Sequence, residues 1–306
     1  MVKSSILYGS RGLITLVIVA GMTGCVFHRT QGEYFNSNGV RIHYTSEGAG
    51  EPVVLVHGVA VNADLNWRRP GITKALSRGH RVIMLDVRGH GLSDKPHNPA
   101  GYGREMMEDV VRLMDHLGIE KAHVIGYSMG GFIVLNLAVM HPERLLSVAP
   151  CGAGWERMTP ERQRRLNDVS KAIRGKGDYA LLLEEVGLKK KGLGRVQVFV
   201  MNRVFRHLND NESIGEVIAS LPDLEVSEAA LRENTVPSLS VAGSRDPLKR
   251  GVDAMTGVMG HHSVLVIPGG NHYSTLKKKA FAEGLRDFLD RCGGLGGTSS
   301  GGTGNK

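Results

Sequence analysis

Short apolar runs separated by helical patterns constrain the fold of this chain more than any other feature of its sequence. Six runs of five to nine residues are rich in Val, Ile and Leu and lack alternation with polar residues, which is typical of strands buried on both faces. They are PVVLVHG (52–58), RVIMLDVRG (81–89), AHVIG (122–126), LLSVAP (145–150), PSLSVAG (237–243) and HSVLVIPG (262–269). Helical patterns such as Glu105–Leu117 stand between them. This alternation predicts an α/β protein with a mainly parallel, doubly wound sheet covered by helices on both faces.

The alternation begins with a hairpin and is interrupted once. Residues 33–48 have the pattern of a hairpin, with Asn38-Gly39 as its tight turn. Between 153 and 232 strand signals give way to helical character, which predicts a helical insertion between two strands. We expect this insertion to be a helical cap over the carboxyl edge of the sheet, with a peripheral decoration as the alternative. The predicted core then comprises 26–152 and 233–292.

Positive charge is concentrated in the predicted insertion. The chain carries 38 Lys and Arg and 30 Asp and Glu, which gives a net charge of +8. The segment from Glu156 to Arg206 contains 13 of the basic residues and only 6 acidic ones. Such a surplus fits a solvated helical face, an anionic membrane surface or an acidic ligand. Nucleic acid is not an expected partner, because the chain has no recognised binding motif and no aromatic residues interleaved with the basic ones.

Both ends of the chain predict segments outside the core. Lys3 and Arg11 precede the apolar run Leu13–Ala20, and small residues follow up to Cys25, which is the pattern of an export signal over 1–25. Met22-Thr23-Gly24-Cys25 resembles the lipobox of bacterial lipoproteins. The expected protein is therefore a lipoprotein, tethered to the membrane on the periplasmic side through lipidated Cys25. Plain secretion and an uncleaved anchor are the alternatives. Residues 293–306 have the Gly/Ser/Thr composition of a flexible tail.

A G-x-S-x-G motif, 126–130, joins the third apolar run to a helical pattern. A serine at such a turn is strained and presents its hydroxyl, but it needs a base and an orienting carboxylate. In a parallel sheet these groups collect after the carboxyl ends of strands. Asp246 follows the fifth run and His272 follows the sixth, whereas His261 and His262 lie at the opposite, amino end of the sixth run. Ser128, Asp246 and His272 are therefore the predicted catalytic triad.

Together with His57-Gly58 after the first run and 86–93 after the second, these motifs resemble the α/β-hydrolase fold family over about residues 33–292. The resemblance implies that Ser128 is the nucleophile, Asp246 the orienting acid and His272 the base. It implies an oxyanion hole formed by the backbone N–H groups of Val59 and Met129. No cofactor or metal is expected. The residues expected to support the catalytic loops are His57, Gly58, Asp86 and Arg88.

The resemblance implies a hydrolase that cleaves small carboxylic esters through an acyl-enzyme on Ser128. A serine at the elbow argues against haloalkane dehalogenases and epoxide hydrolases, which in this fold resemble one another in carrying Asp there. The loop His57-Gly58-Val59 is closer to the pattern of small-substrate esterases, carbon–carbon bond hydrolases and haloperoxidase-like enzymes than to the HGGG form of some lipases. Carbon–carbon bond hydrolysis, acyl transfer and a binding protein without turnover remain alternatives. The sequence leaves acyl-chain length and oligomeric state open.

Overall fold

A computed structural model describes residues 30–188 and 192–293, and one eight-stranded sheet organises them. The strands lie side by side in the order β1-β2-β4-β3-β5-β6-β7-β8. Their bounds are Glu33–Ser37, Val40–Glu47, Glu51–Val56, His80–Leu85, Ala122–Tyr127, Leu145–Cys151, Ser238–Gly243 and His262–Ile267. The predicted signal with its Cys25, and 294–306 of the predicted tail, lie outside the described residues. Gly293, the first residue of that predicted tail, is the last residue of a helix.

The first two strands form the predicted hairpin, and the remaining strands run parallel. Asn38 and Gly39 have φ of 53° and 86°, as a two-residue turn of this kind requires. β2 also pairs antiparallel with β4, while every pair from β4 to β8 is parallel. The carboxyl ends of the parallel strands therefore meet at one edge of the sheet, and the loops that follow them are neighbours.

Helices cover both faces of this sheet. Alternate residues of β3 enter different cores, with Val54 and Val56 on one face and Val53 and Leu55 on the other, which explains its uninterrupted apolar run. The described helices are α1 Ile72–Leu76, α2 Arg104–His116, α3 Met129–Met140, α4 Pro160–Lys176, α5 Ala180–Glu185, α6 Leu193–Leu208, α7 Asn211–Ser220, α8 Glu228–Glu233, α9 Lys249–Met255 and α10 Lys279–Gly293. α2 and α3 pack on the first face, and α1 and α10 on the second.

The edge strand β8 departs from the expected burial. Val264 and Val266 are 36% and 38% exposed, although their sequence is as apolar as that of the inner strands. β8 is the last strand in the sheet order, so only β7 pairs with it. A run of β-branched residues predicts a strand but does not distinguish an edge from the centre of a sheet.

Five helices, α4–α8, lie between β6 and β7 at the predicted insertion. Their apolar side chains form a separate core that includes Val169, Ile173, Phe205 and Ile214. Ala60, in the loop that follows β3, belongs to the same cluster. The insertion therefore packs against the loops at the carboxyl edge of the sheet. In the parts of the chain that the structure describes, no helix combines the length and the apolar character needed to cross a membrane.

Candidate active site

Ser128 lies at the strained junction between β5 and α3. Its φ and ψ are 56° and −117°, and it is one of only three non-glycine residues with positive φ among those described. Such a conformation costs on the order of 1–3 kcal/mol and persists only where its surroundings enforce it. Here the Ser128 N–H donates to the Cys151 carbonyl at 2.8 Å. A Cβ on Gly126 would stand 2.0 Å from the Gly130 carbonyl oxygen, so the tight turn needs glycine there.

Asp246 and His272 meet in the loops that follow β7 and β8. The Asp246 side chain is fully buried, and its Oδ2 lies 2.9 Å from His272 Nδ1. The other carboxylate oxygen, Oδ1, accepts the Leu248 N–H at 3.0 Å. The Tyr127 hydroxyl donates to the His272 carbonyl at 2.6 Å, which fixes the backbone of this loop against β5. Because Nδ1 is bound to the carboxylate, Nε2 is the ring nitrogen left for chemistry.

A cavity of about 990 Å³ borders both Ser128 and His272. Val59 and Met129, whose N–H groups are the predicted oxyanion donors, also line it. Asp246 does not line the cavity, and it contacts His272 from behind. The structure thus gathers the sequence-predicted nucleophile, base and donor residues around one space, while their catalytic roles remain predictions.

Both nitrogens of the His57 ring are occupied by backbone groups. Nδ1 lies 2.7 Å from the Gly58 carbonyl oxygen and donates to it, and Nε2 accepts the Val87 N–H at 3.0 Å. The ring is therefore neutral with its proton on Nδ1, and burial lowers the pKa of His57. These bonds join the loop after β3 to the loop after β4. They suit a bracing role and leave no free nitrogen for proton transfer.

Asp86 also links the loop after β3 to the loop after β4. Its carboxylate accepts N–H groups from Ala63 at 3.0 Å and Leu92 at 2.9 Å, and it lies 3.0 Å from His43 Nδ1. Burial opposes the charge, but these hydrogen bonds outweigh it and lower the pKa of Asp86 to about 2. The carboxylate is therefore ionised at neutral pH and holds two loops at once.

Arg88 anchors the loop after β4 to helix α2. Its guanidinium forms two hydrogen bonds of 2.7 Å to the Asp109 carboxylate, and both side chains are almost fully buried. A third bond of 2.7 Å goes to the Gly101 carbonyl. A bidentate contact of this kind fixes the orientation of the guanidinium and also pairs its charge.

Comparisons with known proteins agree on the fold. A family model described as "alpha/beta hydrolase fold" matches residues 51–175. Among solved structures, a carboxylesterase from Nitrososphaera gargenis has a TM-score of 0.72 at 22% identity, covering 86% of this chain and all of that one. The enol-lactonase from Burkholderia xenovorans LB400 has a TM-score of 0.70 at 25% identity, with 84% and 100% covered. This chain is an α/β-hydrolase-fold protein. The fold class predicted from the sequence is confirmed.

The curated relatives of this α/β-hydrolase-fold protein are diverse. Bifunctional epoxide hydrolase 2 of Rattus norvegicus is 28% identical over 225 residues, 69% of this chain and 39% of the relative. The 2-hydroxymuconate semialdehyde hydrolase of Pseudomonas sp. strain CF600 is 38% identical over 118 residues, 38% of this chain and 41% of the relative. The chain thus spans about two fifths of the length of each of these relatives.

Asn66 is a further residue at the cavity of this α/β-hydrolase-fold protein. This residue is only 4% exposed, it lines the cavity, and its Oδ1 accepts the Gly58 N–H at 3.0 Å. Its Nδ2 has no hydrogen-bond partner among the described residues. Asn66 therefore positions the loop that carries Val59, and its amide nitrogen is buried beside that loop. No motif marks it in the sequence. Its neighbour Trp67 is plain core, fully buried and edge-on to Tyr127 at 6.5 Å.

The insertion supplies most of the remaining cavity wall. Leu166, Val169, Phe205 and Ile218 give it an apolar lining. Charged residues also line it, and they form ion pairs between Arg162 and Glu156, Arg165 and Glu185, and Arg250 and Glu156. No group of three His, Cys, Asp or Glu side chains in the described parts of the chain has the arrangement of a metal site.

Proposed function

We propose that this protein is a serine hydrolase that cleaves carboxylic esters through an acyl-enzyme on Ser128. One observation carries the proposal: a single cavity is bordered by a serine at a strained elbow and by a histidine whose Nδ1 is bound to a buried carboxylate. A serine becomes a useful nucleophile when a base can take its proton and a third group orients that base. Hydrolysis of an ester is a reaction that this arrangement can perform with water as the second substrate.

In the proposed reaction, His272 Nε2 takes the proton of Ser128 Oγ as Oγ attacks the ester carbonyl carbon. The N–H groups of Val59 and Met129 stabilise the negative oxygen of the tetrahedral intermediate, and each such donor contributes about 10²–10³ in rate. His272 then protonates the departing alcohol, which leaves the acyl group on Ser128. Water attacks this acyl-enzyme and gives a proton to His272, which returns that proton to Ser128 Oγ as the acid leaves. Asp246 keeps the ring in the required tautomer and stabilises the imidazolium in both halves.

Named relatives support ester cleavage without deciding the substrate. The carboxylesterase and the enol-lactonase, both similar to this chain in fold, are named for ester bonds. The epoxide hydrolase of Rattus norvegicus is named for another reaction, and the serine at the elbow argues against that reaction here. The partner of this site is therefore proposed to be a small ester or acyl substrate.

Hydrolysis of a carbon–carbon bond is the second candidate, and specific relatives favour it. The 2-hydroxymuconate semialdehyde hydrolase is 38% identical over its matched segment. The 2-hydroxy-6-oxo-6-phenylhexa-2,4-dienoate hydrolase of Comamonas testosteroni is 39% identical over 124 residues. A vinylogous diketone, assayed by loss of its visible absorbance, would distinguish the two reactions. Faster turnover of the diketone than of every ester in a graded panel would favour the second candidate.

Replacing the proposed nucleophile tests the main proposal. Ser128→Ala should lower kcat on p-nitrophenyl butyrate by up to about 10⁶, with unchanged melting temperature, and the exposed serine variant Ser263→Ala should keep normal turnover. A fluorophosphonate should label the native protein on Ser128. Wild-type turnover in Ser128→Ala would remove the nucleophile assignment. A folded native protein that the reagent leaves unlabelled would favour a binding role.

The proposed place of action is outside the cytoplasm, with Cys25 as the lipid attachment point. This part of the proposal rests on the sequence of residues 1–25 alone. Cys25→Ser should shift the protein from the membrane fraction to the soluble fraction when the membranes are washed at high salt, which releases protein held only by charge. An unchanged distribution after that wash would remove the lipid attachment.

A further inference from the structure

Helix α6 of the insertion exposes apolar side chains that no other part of the described chain covers. Phe199 and Val196 are 69% and 55% exposed, the highest values among the large hydrophobic residues described. The opposite side of the helix is anchored, because Val198 and Phe205 are buried in the insertion core. The exposed pair therefore lies on a helix whose position is fixed from its inner side.

Basic side chains surround these two apolar residues. At 100° per residue, six exposed positions of α6 fall within an arc of about 120°. We call them the basic–apolar face: Arg195, Val196, Phe199, Arg203, Arg206 and His207. Within the described residues, Arg195 and Arg203 form no ion pair, and Arg206 donates to the Lys176 carbonyl. No Asp or Glu occurs between Glu185 and Asp210 in the sequence.

We propose that the basic–apolar face of α6 binds the surface of an anionic lipid bilayer. A helix with apolar residues among cationic ones lies in the plane of a bilayer interface, where the apolar side chains enter the acyl boundary and the cations meet phosphate. Phe199 and Val196 supply the first contact, and Arg195, Arg203 and Arg206 the second. The aliphatic stems of the arginines can lie along the apolar layer while their guanidinium groups stay at headgroup level.

Charge favours this occupant over a second copy of the chain. Two copies that met through this face would bring arginines against arginines, because the face contains no carboxylate. Like charges opposed across an interface are unfavourable. An anionic bilayer supplies the missing negative charge and also an apolar layer for Phe199.

Docking through α6 would hold the cavity close to the lipid surface. Phe205, on the inner side of the same helix, lines the cavity. A helix with its side chains is about 10 Å across, so one helix separates the cavity from the basic–apolar face. This surface proposal stands independently of the proposed ester hydrolysis.

Vesicle sedimentation of the full-length Cys25→Ser protein, which cannot carry the lipid proposed above, tests the charge part of the proposal. Vesicles of phosphatidylcholine alone are compared with vesicles in which phosphatidylglycerol replaces a third of the lipid. Each arginine near an anionic surface contributes about fivefold in binding, so Arg195→Gln with Arg203→Gln should weaken binding to the anionic vesicles about 25-fold. The matched control, Lys74→Gln with Arg78→Gln, makes the same charge change at exposed positions elsewhere and should keep the native affinity. Equal losses in both double variants would overturn the proposal.

A fluorescent reporter tests the insertion part. Phe199→Trp should gain emission that brominated phospholipid in anionic vesicles quenches, beyond the quenching of the parent protein, whose tryptophans are the fully buried Trp67 and the partly buried Trp155. Absence of added quenching, or a dimer that forms without vesicles and is lost in Phe199→Ser, would overturn lipid binding. Ser128→Ala should bind vesicles like the native protein, so failure of the proposed hydrolase activity and failure of this proposal give different results.

Discussion

Two buried carboxylates near the cavity of this α/β-hydrolase-fold protein have different hydrogen-bond partners. Asp246 is bound to one imidazole on the cavity wall, whereas Asp86 accepts N–H groups from two loops. Position after a strand was enough to select Asp246 from the sequence. The hydrogen-bond partners of Asp86 lie in two loops, and no local sequence pattern shows that these loops are neighbours. Its role in linking them is therefore visible only in the folded structure.

The stability that Asp86 contributes should depend on pH. Its pKa is lowered from 3.8 to about 2, so the folded state binds this proton more weakly than the unfolded chain. That stabilisation, about 2 kcal/mol, is fully present above about pH 5 and is lost as pH falls towards 2. Asp86→Asn should therefore reduce the free energy of unfolding by about that amount at pH 7. The difference from the native protein should narrow below about pH 4.

Urea unfolding at a series of pH values from 7 to 3 measures this difference. The exposed carboxylate variant Asp290→Asn serves as the control and should stay within about 0.5 kcal/mol of the native protein at pH 7. If the difference in the free energy of unfolding between the native protein and Asp86→Asn stayed constant across the series, the charge of Asp86 would contribute nothing to stability.

At the scale of elements, the β5–α3 junction depends on the absence of side chains. A Cβ on Gly130 would stand 2.1 Å from the Val56 carbonyl oxygen and 2.9 Å from that of His57. Both atoms belong to the backbone of β3 and its loop, which cannot rotate away as a side chain would. The same close approach brings Ser128 next to the loop that carries Val59.

Gly130→Ala should therefore destabilise the protein by roughly 3 kcal/mol, since it forces backbone apart in a packed core. Gly79→Ala is the matched control, because a Cβ there meets no atom within 4 Å and its φ lies outside the left-handed region. Thermal unfolding of both variants should show a clear drop in Tm for the first and little change for the second. Equal Tm values for the two variants would mean that β3 and α3 can move apart without a loss of stability.

The strands and the hairpin could be predicted because their signals are local. Apolar runs fix the strand positions to within a few residues, and Asn38-Gly39 fixes the turn. The exposure of β8 could not be predicted, because edge position is a property of the sheet order. Asn66 and Phe205 were missed for a similar reason. Their place at the cavity results from packing between segments that are far apart in sequence.

At the scale of the whole molecule, the cavity has two sources. The loops at the carboxyl edge of the sheet supply its polar groups, and the insertion supplies much of its apolar wall. The first source sets which bond can be attacked. In the proposed reaction, the second sets how large an acyl group can lie beside Ser128. Changes in the insertion should therefore change the substrate range and leave the chemical step unchanged.

Leu166 on α4 offers a test of this division, because it lines the cavity and is only partly buried. Leu166→Trp should fill part of the cavity. It should lower kcat/KM for p-nitrophenyl decanoate at least tenfold more than it lowers kcat/KM for p-nitrophenyl acetate, because each methylene displaced from a pocket costs about 1–3 kcal/mol of binding. Leu166→Ala, the matched variant in the opposite direction, should leave acetate turnover unchanged and tolerate the decanoate at least as well as the native protein. If both variants changed kcat/KM for the acetate and the decanoate by the same factor, the insertion would not determine acyl-chain length. The residues that limit chain length would then lie in the loops at the carboxyl edge of the sheet.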